Sequence, residues 1–168
     1  MPVNVEIKAR ASDWAAQLKR GLALADRTER LGQTDTFFNC ANGRLKLREQ
    51  GRAGACLIFY RRAGLKGPKS SSYTLVPLPY PKRTLKALSA ALGVKVKVSK
   101  KRLVCFVGRT RVHFDEVKGL GRFIELEVVM APGEALSAGR REAEKLMLAL
   151  GIKKGDLAAD AYADMLRS

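Results

Sequence analysis

Asn4-Val5-Glu6-Ile7-Lys8-Ala9-Arg10 near one end of the chain and Phe123-Ile124-Glu125-Leu126-Glu127-Val128 near the other both alternate charged or polar residues with apolar ones. Side chains two apart on a strand share a face, so each segment gathers its charges on one side. Glu6, Lys8 and Arg10 project together, as do Glu125 and Glu127. Acids beside bases on one face suit a metal ion and an anionic substrate held together.

Other stretches repeat the pattern. Arg44, Lys46 and Arg48 alternate with Leu45 and Leu47, while Arg109, Arg111, His113 and Asp115 alternate with Thr110, Val112 and Phe114. An ordinary antiparallel sheet, one face in the core and one in water, gives the same alternation. The kind of charge argues against it here: one strand is almost wholly cationic, another carries only acids, and the first carries both. Like charges on adjacent strands repel unless a counter-charge lies between them. A sheet closed into a barrel with its charged faces inward would grip phosphates by arginine and metal by glutamate.

Along the chain, Ser12 or Asp13 caps a helix expected to run to about Arg30, with Trp14, Leu18, Leu22 and Ala25 as its apolar stripe and Gly32 as a stop. Strands are expected at Thr36–Cys40, Arg44–Glu49 and Ala55–Arg62, the first two joined by a turn at Ala41-Asn42-Gly43. A Gly-, Lys- and Ser-rich loop, Ala63–Ser72, precedes an extended Tyr73–Val76. Pro77, Pro79 and Pro81 then break the sheet. Lys82–Leu92 reads as a helix closed by Gly93. Val94–Ser99, Leu103–Gly108, Thr110–Val117 and Phe123–Met130 read as strands, the last entered through a turn at Lys118-Gly119-Leu120-Gly121. Helices over Gly133–Leu150 and Asp156–Leu166 finish the chain. With no internal repeat or linker, the pattern predicts a single α+β domain over residues 1–168, built on about eight antiparallel strands in a sheet or barrel.

The length of 168 residues fits one domain with a substantial core. No apolar run reaches the roughly 18 residues of a membrane span, and the start lacks a signal peptide's basic and apolar regions, so the expected location is cytoplasmic, away from membranes. Cys40, Cys56 and Cys105 fit neither a disulfide framework nor a zinc site and read as buried free thiols. The formal charge of +16 attracts anions such as nucleic acid, anionic lipid or small polyphosphates.

Asn4-x-Glu6-x-Lys8 resembles the Glu-x-Glu-x-Lys signature of CYTH domains, the class IV adenylate cyclase and thiamine triphosphatase group of triphosphate tunnel metalloenzymes. The resemblance continues through Gly43-Arg44-Leu45-Lys46-Leu47-Arg48, Leu57-Ile58-Phe59-Tyr60-Arg61-Arg62, Gly67-Pro68-Lys69-Ser70 and Lys100-Lys101-Arg102. Its most specific block runs from His113-Phe114-Asp115 through Gly119-Leu120-Gly121 to Glu125-Leu126-Glu127. It implies an eight-stranded antiparallel β tunnel barrel with flanking helices, binding a triphosphate and Mg²⁺ or Mn²⁺ inside. By position, Glu6, Glu125 and Glu127 resemble the metal-binding carboxylates, with Asp115 a further acid. Lys8, Lys46, Arg48, Arg62, Lys100, Arg102 and Arg111 resemble the phosphate-binding bases, Arg61 replacing Arg62 if that strand is shifted by one. Glu6, Lys8, Arg111 and Asp115 are the candidate catalytic set. Arg10 and Arg44 share the proper faces nearer the tunnel mouths.

The activity implied is metal-dependent hydrolysis of inorganic triphosphate, a nucleoside triphosphate or thiamine triphosphate. The alternative is cyclisation of ATP to cyclic AMP and pyrophosphate, and a second is a non-catalytic polyphosphate- or RNA-binding protein. Nucleic acid is thus a secondary partner, and the chain is expected to be a monomer or homodimer. Asn4 departs from the signature: an amide coordinates through its oxygen but brings no charge, which lowers metal affinity. Lys118 and Arg122 add charge near the tunnel end. His113 shares the parity of Arg111 and reads either as a structural histidine or as a general base. Trp14 and Tyr73 read as packing residues, and Gly64–Ser72 as a solvated loop or a phosphate-capturing mouth.

Overall fold

The computed structural model describes the backbone of residues 3–62 and 69–167 and, within these, the side chains of 3–61 and 72–167. Its strands are β1 (Val3–Arg10), β2 (Arg27–Phe38), β3 (Arg44–Glu49), β4 (Ala55–Arg62), β5 (Lys69–Pro77), β6 (Val94–Val107), β7 (Thr110–Val117) and β8 (Gly121–Val129). Its helices are α1 (Trp14–Leu24), α2 (Pro81–Leu92), α3 (Leu136–Leu150) and α4 (Tyr162–Met165). All eight strands pair antiparallel in a closed barrel, in the order β1-β5-β4-β3-β2-β6-β7-β8. β1 completes the ring, pairing with β8 from Asn4↔Val129 to Arg10↔Phe123 and with β5 on its other side.

The alternating sequence pattern fixes what faces where. The apolar set points outward: Val5 and Ile7 of β1, Val112 and Phe114 of β7 and Ile124, Leu126 and Val128 of β8 are buried against Leu146 and Leu150 of α3. The charged set points into the barrel. At about 25 cal/mol per Å² of apolar surface, covering this outer wall with helices supplies the main favourable term. Among the described residues no helix is long and apolar enough to cross a membrane.

Several boundaries differ from those read in the sequence. α1 begins under an Asp13 cap, whose carboxylate accepts from the Ala16 amide at 3.2 Å, and ends at Leu24 rather than Arg30. Asp26 explains the early end: its amide donates to Phe106 and its carboxylate accepts from the Gly108 amide, which pulls the chain into the sheet. Everything from Arg27 is therefore strand, Gly32 included. Of the expected stripe, Trp14, Leu18 and Ala25 pack against the core. Leu22 is instead 46% exposed, and Gln17 and Gly21 take the buried positions, because the bare backbone at Gly21 lets Phe114 approach.

β6 is one strand of 14 residues where two were expected. The three bases at Lys100-Lys101-Arg102 do not break it, because Lys100 and Arg102 find buried acidic partners. α3 starts at Leu136, since Gly133 has φ 76°, and stops at Gly151 in the left-handed region as expected. The expected Asp156–Leu166 helix is mostly a strap along β1: Ala9 bridges Leu157, and the Ala158 amide donates to Lys8 O at 2.9 Å. Only the short α4 follows. The thiols divide, with Cys56 and Cys105 buried and Cys40 exposed. Of the expected Ala63–Ser72 loop, Lys69–Ser72 belong to β5, and residues 63–68 lie outside the described residues.

A Cβ on Gly21 would sit 2.5 Å from two ring atoms of Phe114, itself 1% exposed. Gly21→Val should therefore cost about 2 kcal/mol through overpacking, read as a lower denaturation midpoint. An unchanged midpoint would show that α1 does not press on the barrel there.

Candidate active site

The inward parity gathers charge around a cavity of about 390 Å³. Even positions of β1, β3, β4 and β6 and odd positions of β2, β5, β7 and β8 line it, among them Glu6, Lys8, Asp35, Lys46, Arg48, Lys100, Arg102, Arg111, His113, Glu125 and Glu127. Nearly every site residue read from the sequence converges here. Arg62 closes β4, and its side chain lies outside the described ones. Arg61 is exposed on the odd, outward parity, its guanidinium 5.9 Å from the Phe59 ring, so the one-residue shift does not occur. Arg10 stands over the Phe123 ring at 4.9 Å. Arg44 is paired with Asp164 at 2.6 Å.

Two strands present a Lys-x-Arg pair, each braced by a buried aspartate on the neighbouring strand. Asp35, directly opposite Arg48 in the β2–β3 register, accepts two hydrogen bonds from Arg48 at 2.7 Å and one from Lys46 at 2.8 Å. Asp115, opposite Arg102 in the β6–β7 register, accepts two from Arg102 at 2.6 and 2.5 Å, with Lys100 Nζ 3.6 Å away. The two aspartates are 2% and 0% exposed. Burial alone would raise the Asp35 carboxyl, but Lys46 and Arg48 hold it well below the usual carboxylate range. Asp115 is held down in the same way against burial, chiefly by Arg102 and Lys100. The lysines shift the other way. Burial, reinforced by the adjacent guanidinium, pushes Lys46 down to about 8 and Lys100 down to about 7.

Facing these bases stand the carboxylates. Glu6 and Glu127 are directly opposite on β1 and β8, and Arg111 is opposite Glu127 on β7. Glu125 receives Lys8 at 3.1 Å and Arg102 at 2.7 Å, and Glu127 receives Arg111 at 3.2 Å. Burial would raise Glu125, yet Lys8, His113 and Arg102 bring it well below its ordinary value. His113 lies 3.7 and 3.8 Å from Glu125 and Glu127. Burial and Arg102 lower its pKa.

Among the described residues no group of three or more His, Cys, Asp and Glu side chains converges as a ready metal cage. The donor chemistry nevertheless fits a hard divalent cation. Two carboxylates, Glu6 and Glu127, stand directly opposite each other, and a cation between them would offset their mutual repulsion. Beside them the Asn4 side chain is buried, its Nδ2 donating to Glu127 Oε1 at 2.5 Å and its Oδ1 without a hydrogen-bond partner. Carboxylate and amide oxygens are the ligands that Mg²⁺ and Mn²⁺ prefer.

Asp35 and Tyr162 were missed in the sequence. Asp35 fell in the supposed loop before a strand expected at Thr36, although Gln33, Asp35 and Phe37 already alternate. Tyr162 had no signal, since it opens the short α4 that follows a strap without periodicity. Its hydroxyl donates to Asp115 at 2.9 Å, and Lys8 and Lys100 lie 3.8 and 5.1 Å from its ring centroid. Asp115 itself bonds to Arg102 and Tyr162 and is not among the residues lining the cavity. Trp14 packs edge-on against Phe114 as expected, whereas Tyr73 lines the cavity.

A closed eight-stranded barrel charged within is matched by a family model: the CYTH domain model covers residues 3–162. The chain belongs to the CYTH family. Among solved structures, this CYTH fold is similar to the PH1012 protein of Pyrococcus horikoshii OT3, at 17% identity and TM-score 0.83 over 96% of this chain and 98% of that one. It is similar to HpAC1 from Hippeastrum, described as revealing a dominant triphosphatase activity, at 16% identity and TM-score 0.67 over 99% and 95%. A more distant likeness is to the Pct1 RNA triphosphatase of Schizosaccharomyces pombe, at 9% identity and TM-score 0.55 over 94% and 85%. No curated protein matches the chain.

Asp35→Asn leaves Lys46 and Arg48 buried without their counter-charge. The expected loss is about 3 kcal/mol of stability, as for other broken buried pairs; a loss under about 1 kcal/mol would show that the bases find other partners. The lysines also set a pH dependence. Their folded values of about 8 and about 7 lie below the ordinary 10.5, so between about pH 7 and pH 10 the unfolded chain binds more protons and stability rises with pH. The urea midpoint should be higher at pH 9 than at pH 7, and a flat or falling midpoint would show that both lysines stay charged.

Proposed function

We propose that the chain is a metal-dependent triphosphatase, taking inorganic, nucleoside or thiamine triphosphate into the barrel. The observation that carries this reading is the pair of aspartate-braced Lys-x-Arg strands facing three carboxylates across the barrel cavity. A triphosphate needs fixed cations along its length, and phosphoryl transfer is governed by positioning and electrostatics. Arg48 and Arg102, oriented by bidentate aspartates, hold phosphate oxygens in a set direction. Lys46, Lys100, Lys8 and Arg111 complete the cradle, with Arg62 a further base by position. Glu6, Glu125 and Glu127, with the Asn4 amide oxygen beside them, would hold Mg²⁺ or Mn²⁺, which supplies charge neutralisation at phosphate oxygens. In the reaction a water oxygen bonds to the terminal phosphorus, the bridging P–O bond breaks, diphosphate leaves, and the water's proton passes to solvent.

A bound anion favours the charged forms of Lys46 and Lys100, opposing the effect of burial. Glu127 is already engaged by Arg111 and Asn4, so the entering phosphate is expected to draw Arg111 away and free the carboxylate. A second reading, cyclisation of ATP, is favoured by the apolar lining near Lys46, where Phe37, Ile58, Tyr60, Tyr73 and Leu75 offer surface for a nucleobase. Its product, cyclic AMP, distinguishes it.

Incubation with tripolyphosphate, ATP and thiamine triphosphate under Mg²⁺ or Mn²⁺ should release phosphate from at least one of them. Glu127→Gln should lower kcat at least about 100-fold while leaving the melting temperature nearly unchanged, as removal of an electrostatic group costs in other enzymes. Asn4→Glu should lower the metal concentration needed for half-maximal rate. Absence of turnover with every substrate and both metals would sink the reading; full activity in Glu127→Gln would move the metal elsewhere.

A further inference from the structure

The formal charge of +16 does not reside in the tunnel. Among the described residues lining the cavity, six bases face five acids, so the bulk of the excess stands outside. It is also concentrated along the chain: between Glu49 and Asp115 there is no acidic residue and there are fifteen Lys and Arg. That segment builds β4, β5, α2, β6 and the start of β7.

On the outer wall, even positions of β2 and odd positions of β6 share a face, as the 3.3 Å approach of the Thr34 and Ser99 hydroxyls shows. The register sets Lys101 beside Gly32 and Lys97 beside Thr36. Gly32 and Thr34 form one wall of a groove of about 570 Å³, and Gly51, Gly54, Leu78 and Pro81 form part of the other. No base is among the described lining residues themselves; Lys101 and Lys97 follow on the neighbouring strand beside Gly32 and Thr36, Arg52 and Lys82 adjoin Gly51 and Pro81 in the chain, and all four are exposed. A Cβ on Gly32, Gly51 or Gly54 would meet nothing within 4 Å, so the floor admits a close approach. Glu49 is the acid among the groove's lining residues. Glu116, opposite Lys101 on β7, is paired with Arg122 at 3.4 Å.

We propose that this groove binds the phosphodiester backbone of a single-stranded nucleic acid, a function separate from the triphosphate chemistry of the tunnel. A flat bilayer cannot enter a concave, glycine- and proline-lined floor, whereas a single strand can. Lys97 and Lys101, four residues apart on one strand, lie about 13 Å from each other, which lets them meet two separate phosphates of one strand. The floor presents few side-chain donors, so binding is independent of sequence. Tyr80, 65% exposed just before Pro81, offers a ring on which a base stacks.

The test is fluorescence anisotropy with a labelled single-stranded RNA, in parallel with tripolyphosphate hydrolysis. Affinity should fall with salt with a log–log slope of about −3, as for four phosphates neutralised on a single strand. Lys97→Glu with Lys101→Glu, and separately Arg52→Glu with Lys82→Glu, should each weaken binding at least about tenfold and leave hydrolysis and melting temperature unchanged. Saturating tripolyphosphate should not displace the RNA. Wild-type affinity in either double variant, displacement by tripolyphosphate, or binding to phosphatidylserine vesicles without binding to RNA would each overturn the proposal. RNA binding without any triphosphate turnover would leave it standing and remove only the enzyme reading.

Discussion

Two buried aspartates make the charged interior tenable. Without Asp35 and Asp115, Lys46, Arg48, Lys100 and Arg102 would crowd a sheltered cavity with like charge, at a desolvation cost of several kcal/mol per ion. Each aspartate takes two hydrogen bonds from its arginine, and each sits directly opposite that arginine on the neighbouring strand. The pairs therefore register the sheet as well as neutralise it. A slip by one residue would put aspartate and arginine on opposite faces of the wall. The acid that neutralises the buried bases also aims the one that a phosphate would meet.

The arrangement leaves a graded set of cations. Arg48 and Arg102 are locked by two bonds each and stay charged. Lys46 and Lys100 sit beside them, buried and pushed toward neutrality. An entering anion meets the rigid guanidiniums and favours the charged form of the lysines beside them. On the opposite wall the glutamates are occupied by Lys8, Arg102 and Arg111. The site is thus internally compensated, and binding exchanges one set of ion pairs for another.

The period-two alternation was legible wherever both faces of a strand are chemically distinct. β1, β3, β7 and β8 were read with the right parity, and with them Glu6, Lys46, Arg48, Arg111, Glu125 and Glu127. β2 was not, because Arg27-Thr28-Glu29-Arg30-Leu31 is equally acceptable to a helix, and only pairing with β6 decides against it. That misreading concealed Asp35. The continuity of β6 was hidden for a related reason: three successive bases look like a break until their partners on β7 and β8 are known. Tyr162 depends on a strap whose course follows tertiary bonds to Lys8, Ala9 and Ser12. Local pattern thus carried the walls of the site, and long-range pairing carried what braces them.

Ring closure has a temporal consequence. Asn4 meets Glu127 across 123 positions of sequence, and β1 has no permanent neighbour on that edge until β8 exists. During synthesis the first strand must wait, with Glu6, Lys8 and Arg10 still in water, while most of the chain emerges. Contacts of such separation make folding slow. Charged residues on the waiting edge also discourage pairing with a neighbouring chain. The residues that would later hold a ligand therefore serve first as guards of an unfinished sheet.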